Sequence, residues 1–568
     1  MLHSIFITLL CLGDHAVRAS NTNIFRLKTF SSVDRISVYD ELETNTYDVS
    51  IYAARGETES FQLAIRSERN ASMYVTHTPF GTYNYESNVV PVRVYQAGFV
   101  WVSNATDASR VFQMQCPSET LSHGGCWVMD PLIPLANNSN GTLIENMTCG
   151  FWIDLTVPRV MLGRDYFSTF SIVTDSTLVN VTVKLHVYEN VFLPISPRLK
   201  NAIQIDIAHL YRSFRSLPMN ELRTKFIETC DYLLDNFRIN PGSIYDSWGN
   251  LSAESLDRYV SPFVANVSDI VRWKEKGMNS LTIPYVPLNR TRDFVNQIRS
   301  VDPTLLTMLS FYNFDEFSGN FSNISAAFLP LRKEFPEIQT MTTAHLGNQY
   351  DPSLVKNPVP FDSDALHALG VTQVVPQTNY LPSTRNISEC QDNNVEVWTY
   401  ISLQPYKPLA CFRLDNPLVD VRGLFWQIFH YGFDGFLYWG LNQWSLGDFA
   451  PISIDETFPF ISPSNWNVAT YDDGTLPWLF GDGKLLYVGT NGPIPSIRLA
   501  NIRDGLDDYD YLSMLHDVNP SLASSLASRV SGSTVRDLVR NTTLLREVRV
   551  EIASALDNNT MSRSEKLS

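Results

Sequence analysis

One rhythm constrains the fold of this chain more than any other feature. From residue 201 to about 445, short apolar runs alternate with helical patterns. NAIQIDIAHL (201–210) precedes MNELRTKFIETCDYLLDNF (219–237), and GSIYD (242–246) precedes SAESLDRYVSPFVANVSDIVRWKEKG (252–277). SLTIPYVP precedes TRDFVNQIRSV, and LTMLSFYNFDEF precedes NISAAFLPLRKEF. IQTMTTAHL, VTQVVPQTNY, VEVWTYISLQP and DGFLYWGLNQWS complete the series. Strands that alternate with helices must run parallel, because only a crossover helix returns the chain to the same sheet edge. Eight candidate strands over roughly 250 residues predict a (β/α)8 barrel, the TIM architecture. An open doubly wound sheet is the alternative, but no Gly-rich phosphate loop follows the first strand.

A different pattern precedes it. SFQLAIRS, VVPVRVYQAGFVWV, GFWIDLTVP and VNVTVKLHVYENVFLP are β-rich, partly alternating and separated by turn residues. Helical periodicity is nearly absent there, which predicts an N-terminal β-sandwich. The expected division is a signal peptide over 1–20, a β-sandwich over 21–195, the barrel over 196–520 and a C-terminal helical tail over 521–568. A chain of 568 residues requires such a division, since one core does not grow to that size.

SIFITLLCL (4–12) followed by VRAS has the shape of a secretory signal peptide. No later run is long and apolar enough to span a bilayer. The net charge of -16 argues against nucleic acid as a partner. Asn70, Asn104, Asn146, Asn180, Asn250, Asn266, Asn289, Asn386 and Asn541 head N-x-S/T sequons, as do Asn137, Asn140, Asn320, Asn323 and Asn558. That density predicts a glycoprotein of the secretory pathway, secreted or lysosomal. Beyond Cys11, six cysteines remain, and an oxidising compartment permits disulfides. Proximity in sequence favours Cys390 with Cys411, and a pair drawn from Cys116, Cys126 and Cys149.

The fourth candidate strand ends in two adjacent carboxylates, Asp315 and Glu316. In a (β/α)8 barrel, active sites form at the C-terminal ends of the strands. Neighbouring residues on a regular strand face opposite ways, so this pair makes sense only at a strand end or a bulge. Other strand ends carry polar and aromatic groups: Asp206, His209, Tyr245, Asp246, Tyr285, His345, Gln377, Asn379, Trp398, Tyr400, Tyr438, Trp439, Asn442 and Trp444. Aromatic planes among polar groups suit a sugar ring, with its apolar faces and hydroxyl edges.

Two carboxylates in a sugar pocket imply a glycosidase. The usual designs set the acids on opposite sides of the scissile bond, whereas adjacent residues serve one side. The nucleophile then comes from elsewhere, and a 2-acetamido group can provide it by closing an oxazolinium ring. Glu316 becomes the general acid and then the base. Asp315 orients the acetamide N–H and stabilises the developing positive charge. The competing reading of Asp-Glu is a helix N-cap with an acidic first turn. No HExxH or paired-His spacing points to a metal, and no G-x-S-x-G elbow supports a Ser-His-Asp triad. No metal or cofactor is expected.

Farther on, NPLVDVRGLFWQIFHYGFDGFLYWGLNQW (416–444) leads to GDGKLLYVGTNGPIPSIRLANIRDGLDDYDYL (481–512). These segments resemble glycoside hydrolase family 123, the β-N-acetylgalactosaminidase family. Trp426 to Trp439 match its W-x5-G-x2-G-x-L-Y-W segment. Ser496, Arg498, Leu499, Arg503, Asp504, Gly505, Asp508, Tyr509, Tyr511 and Leu512 match its S-x-R-L-x3-R-D-G-x2-D-Y-x-Y-L helix. FDE at 314–316 matches its catalytic pair, and Trp398 with Tyr400 its W-x-Y strand. The usual Pro of its Y-P-G turn is Val488, and Phe317 follows the pair where relatives carry a smaller residue. The resemblance implies an exo-acting hydrolase that releases β-linked N-acetylgalactosamine, or a related 2-acetamido sugar, from a glycan or glycolipid with retention. It implies catalytic roles for Asp315 and Glu316, Tyr400 as partner of the acetamide carbonyl, and Trp398 or Trp439 as the sugar platform. Tyr438, Asn442, His209 and Tyr285 complete the expected substrate contacts. The rival expectation is a catalytically silent, secreted glycan-binding relative. On physical grounds the 497–515 helix reads as an apolar stripe against the barrel, with Arg503 and Asp507 paired at i,i+4 and Arg498 anchoring the loop after the last strand.

Overall fold

The computed structural model describes residues 25–82, 87–103, 124–135, 140–175, 177–205, 210, 217–242, 265–284, 288–317, 321–344, 361–380, 384–414, 416–444, 460–461, 480–489 and 492–564. The expected signal segment, Asn104, Asn137, Asn250, Asn320, Asp206, His209, Tyr245, Asp246, Tyr285 and His345 lie outside the described residues.

The N-terminal part forms two sheets. One joins Phe25–Ser31, Thr58–Ser67, Thr148–Thr156, Val92–Ser103 and Gly125–Pro134, with the short Phe460–Ile461 on its edge. The other joins Asp48–Arg55, Leu178–Phe192, Arg164–Thr174, Ala71–His77 and Gly141–Leu143. Pairing is mostly antiparallel. Leu178–Phe192 shows the cause: Val181, Val183, Leu185 and Val187 are buried while Asn180 and Thr182 are exposed, the period-2 pattern of a strand with one wet face. Thr58–Ser67 is buried on both faces. Phe61 meets Phe170 of the other sheet edge-on at 5.7 Å, and Glu59 and Ser60 meet side chains of the second domain.

That domain is built on seven parallel strands, β1 (Lys200–Ile203), β2 (Leu281–Pro284), β3 (Leu309–Phe317), β4 (Gln339–Ala344), β5 (Gln373–Pro376), β6 (Glu396–Ile401) and β7 (Gly435–Tyr438). Their order is β1-β7-β6-β5-β4-β3-β2, a sheet curled into a nearly closed ring. Residues 239–242 cross the seam between β1 and β2. Asn240 donates to Asn201 O at 2.8 Å and Ser280 Oγ at 2.9 Å, and Ile205 N donates to Gly242 O at 2.8 Å. The expected strand GSIYD starts at this seam and continues into residues outside the description.

Helices α1 (Met219–Phe237), α2 (Val267–Glu275), α3 (Leu288–Val301), α4 (Ser322–Glu334), α5 (Ser363–Ala368), α6 (Thr384–Asp392) and α7 (Leu418–Tyr431) separate the strands. Asn266 starts α2 with a capping box to Asp269. After β7 come α8 (Ile497–Val518), α9 (Pro520–Ser531) and α10 (Thr542–Ser564). Ala202, Tyr312, Met341, Val375, Trp398, Tyr400 and Leu437 fill the ring interior.

Two expectations need correction. α8 is no amphipathic stripe, for Arg498, Arg503, Asp504, Asp507, Asp508 and Asp510 are buried along with its apolar residues. Arg503 donates to Asp504 and Ser60, and Asp507 takes its cation from Arg238, so the i,i+4 pair does not form. Cys390 and Cys411 are both free. Cys390 O accepts from Val395 N at the start of β6, whereas Cys411 Sγ lies 4.0 Å from Ser402 O beyond its end. Six strand residues separate those ends by roughly 20 Å, and a disulfide needs its Cα atoms within about 7 Å. Cys149 is also free, while Cys126 is disulfide-bonded to a partner outside the described residues.

Candidate active site

The acid pair sits where β3 stops behaving as a strand. Its register with β4 slips twice, between Tyr312 and Phe314 and between Phe314 and Phe317. Each slip inserts an extra residue and breaks the alternation that would send Asp315 and Glu316 to opposite faces. Glu316 has φ +43°, a left-handed backbone for a residue with a Cβ. Such a conformation costs on the order of 1 kcal/mol and persists where its surroundings impose it.

Those surroundings are three buried hydroxyls. Asp315 Oδ1 accepts from Tyr312 OH at 2.8 Å and from Thr343 Oγ1 at 2.9 Å. Thr343 Oγ1 in turn accepts the Glu316 backbone N–H at 2.7 Å. Across the mouth, Tyr400 OH on β6 donates to Glu316 Oε1 at 2.7 Å. Tyr312, Thr343 and Tyr400 are buried, Glu316 is half-buried and Asp315 is exposed. Both carboxylates therefore stand at the C-terminal end of β3, each held by a buried hydroxyl.

Trp439 lies two residues beyond Leu437 of the ring interior and is half-buried. Its Nε1 donates to Asp482 Oδ2 at 3.1 Å. Asp482 belongs to a Gly-Asp-Gly turn whose glycines have φ +76° and +71°. A Cβ on Gly483 would lie 2.7 Å from Trp439 Cζ2, so glycine is required there for space as well as for conformation. Arg498 holds this turn by donating to the carbonyls of Gly481 and Lys484, both at 2.5 Å, as expected of it. Burial pushes the Asp482 carboxyl up, against the pull of Arg413 and its hydrogen bonds to Tyr438 and Trp439.

Two expected substrate contacts are structural. Trp398 is 0 % exposed inside the ring. Its Nε1 donates to Glu396 Oε2 at 3.1 Å, and its indole leaves no room for a Cβ on Gly435. Burial would raise the Glu396 carboxyl, yet Lys200, 2.5 Å away, holds it below its usual value. Tyr438 is also fully buried, outside the ring against Phe412. Its hydroxyl donates to Asp482 Oδ1 at 2.9 Å and accepts from Gly483 N at 2.7 Å. Both rings are core groups rather than sugar contacts.

Asn442 is buried and bridged to Lys484, and with Trp444 it lines a cavity closed by Leu210, Glu228 and Leu486. Gln377 donates to Ser402 Oγ and Asn379 to Gln404 Oε1, each at 2.9 Å, tying the ends of β5 and β6 together. Of the sequons, Asn70, Asn146, Asn180, Asn266 and Asn541 are exposed and Asn386 is half-buried, while Asn289 lies on α3. Asn266 and Asn541 use Oδ1 to cap helices, which leaves Nδ2, the atom a glycan takes.

The sequence reading missed Tyr312, Thr343 and Asp482. Tyr312 carried one signal, three residues before Asp315 on the same strand. Thr343 carried none, because a threonine in a buried strand is ordinary.

Residues 309–515 match the family model described as Glycoside hydrolase 123, catalytic domain. The comparison with curated proteins finds no match. Among solved structures the chain is similar to a family 123 glycoside hydrolase from Clostridium perfringens, studied for glycolipid glycan hydrolysis. Identity is 11%, coverage is 96% of this chain and 99% of that one, and the TM-score is 0.63. A β-glucuronidase from Parabacteroides merdae aligns at 9% identity over 67% of this chain and 44% of that one, but its TM-score of 0.22 carries no argument. The matched segment opens on the first residue of β3 and closes within α8, so it contains the acid pair, Tyr400, Trp439 and the turn of Asp482. Over residues 309–515, then, the chain is similar to the catalytic domain of glycoside hydrolase family 123.

Proposed function

We propose that the protein is an exo-acting β-N-acetylhexosaminidase that removes terminal β-linked N-acetylgalactosamine, or a related 2-acetamido sugar, from glycolipids or glycans. The observation that carries this reading is the pairing of Asp315 and Glu316 on one bulged strand end. Both acids then serve one side of the scissile bond, which leaves the substrate's own acetamide to supply the nucleophile. Its carbonyl oxygen attacks the anomeric carbon as Glu316 gives its proton to the leaving oxygen, and an oxazolinium forms. Asp315 accepts the acetamide N–H and balances the positive charge on that ring. Glu316, now a carboxylate, takes a proton from water, which opens the ring with net retention of configuration.

In this reading Tyr400, whose hydroxyl donates to Glu316 at 2.7 Å in the free protein, turns that proton to the acetamide carbonyl when substrate binds, and Trp439 underlies the sugar. The glycolipid substrate class is supported by the similarity to the Clostridium perfringens enzyme. The same reading takes the seven described strands and their seam as a closed (β/α)8 barrel behind a β-sandwich, and the sequons as marks of a secreted or lysosomal glycoprotein.

The test is turnover of nitrophenyl β-glycosides of N-acetylgalactosamine, N-acetylglucosamine and galactose. Hydrolysis confined to the acetamido sugars, lost by roughly 100-fold or more in Glu316→Gln and Asp315→Asn, is the expected outcome. Cleavage of plain galactoside would require a protein nucleophile and overturn the mechanism. Binding without turnover would leave a glycan-binding protein.

A further inference from the structure

We propose that Thr343 is the positioning residue of this site, and that its one hydroxyl sets the geometry of both carboxylates. The inference rests on the reading of Asp315 and Glu316 as the catalytic pair. Thr343 is buried at the end of β4. Where β3 slips against β4, the ladder passes from Phe314↔Thr342 to Phe317↔Ala344. The Glu316 N–H has a side-chain partner in this gap, Thr343 Oγ1 at 2.7 Å. That contact draws the Glu316 amide towards β4 and holds the residue at φ +43°.

A hydroxyl has one proton to give. Thr343 Oγ1 lies 2.9 Å from Asp315 Oδ1 and 3.5 Å from Phe314 O, so the carboxylate takes that proton. Tyr312 OH donates to the same oxygen and lies 3.0 Å from Thr343 Oγ1, which closes a triangle of two hydroxyls and one carboxylate oxygen. Two donors on Oδ1 fix the rotation of the carboxylate and present Oδ2 as the oxygen for a substrate N–H. Thr343 thus accepts from one member of the pair and donates to the other. Valine matches its shape but has neither a donor nor an acceptor there.

Thr343→Val and Thr343→Ser are the informative variants, compared with wild type on the acetamido substrates and by crystallography. Misplacement of a reacting group by about 1 Å costs on the order of 100-fold in rate. Thr343→Val is therefore expected to lose roughly 100-fold in kcat with KM changed less than about threefold, and Thr343→Ser to stay within roughly fivefold of wild type. In the crystal of Thr343→Val, Glu316 should leave the left-handed region or Asp315 should rotate. Equal turnover by Thr343→Val, equal damage in Thr343→Ser, or an unmoved pair in the Thr343→Val crystal would each overturn the proposal. Should wild type turn over none of the substrates, the functional reading falls, and the crystallographic comparison still decides the role of Thr343.

Discussion

Trp398 and Tyr400 show how depth decides what an aromatic residue touches. Trp398 and Tyr400 share one face of β6, two positions and about 6.6 Å apart along the strand. The deeper ring is core and the shallower hydroxyl reaches Glu316. Sequence showed the shared face but not the layer, because the layer depends on where the neighbouring strands begin. The place of the acid pair at a strand end was legible, since an apolar run that closes on two adjacent carboxylates marks where a buried strand stops. Trp398→Ala should cost about 3–5 kcal/mol of stability, read by denaturant melting, because it empties a filled core. Asp482→Asn cannot accept from both Tyr438 and Trp439 and should loosen the indole. KM is expected to rise roughly tenfold, equivalent to about 1.4 kcal/mol, with kcat nearly constant. Combining it with Trp439→Phe should add little further, since both changes act on one ring.

At the scale of elements, the alternation of strands and helices was readable because period and length are local properties. The bulges of β3 were not, since a bulge is defined by the partner strand, and β4 lies some 30 residues away. The partners of α8 were equally hidden. Arg503 and Asp507 satisfied a helical spacing, but Arg238, just past the end of α1, and Ser60 in the N-terminal sheet compete for them at close range. The Gly-Asp-Gly turn joins helix, strand and site, because Arg498 on α8 grips the carbonyls around it. Gly483→Ala forces a Cβ into a left-handed position and against Trp439. It should cost about 1–3 kcal/mol, seen as a lower melting temperature, and should raise KM through the displaced indole.

For the whole molecule, the join between the domains is a buried charge cluster. Glu57 and Glu59 of the N-terminal part, with Asp504 and Asp508 of α8, surround Arg422 of α7 and Arg549 of α10. Burial pushes the Glu57 carboxyl up to about 8 despite Arg549, with Glu59 and Asp507 adding to the rise. Burial likewise lifts Asp504 to about 7, against Arg503 and Arg422. Burial acts on Glu59 in the same direction, but Arg422 and Arg549 together hold it at about 2. Between its ordinary value of 4.5 and about 8, Glu57 binds more proton folded than unfolded, so stability falls as pH rises through that window. Asp504 adds a fall up to about 7. Glu59 works oppositely, and its contribution is lost as pH drops from 4.5 towards 2. Melting temperature should therefore decline from about pH 5 to pH 8 in calorimetry, and Glu57→Gln should flatten that decline. Removing one partner of a buried pair leaves a stranded charge, so Arg422→Met should cost about 3–5 kcal/mol.

Arg549 stands 492 residues after Glu57. At about 5–20 residues per second, a ribosome needs roughly 25–100 s to travel from one to the other. Through that interval Glu57 and Glu59 are without the last of their cations. An apolar face left waiting so long would gather neighbours. An acidic one stays hydrated and repels its own copies until the final helix arrives to close it.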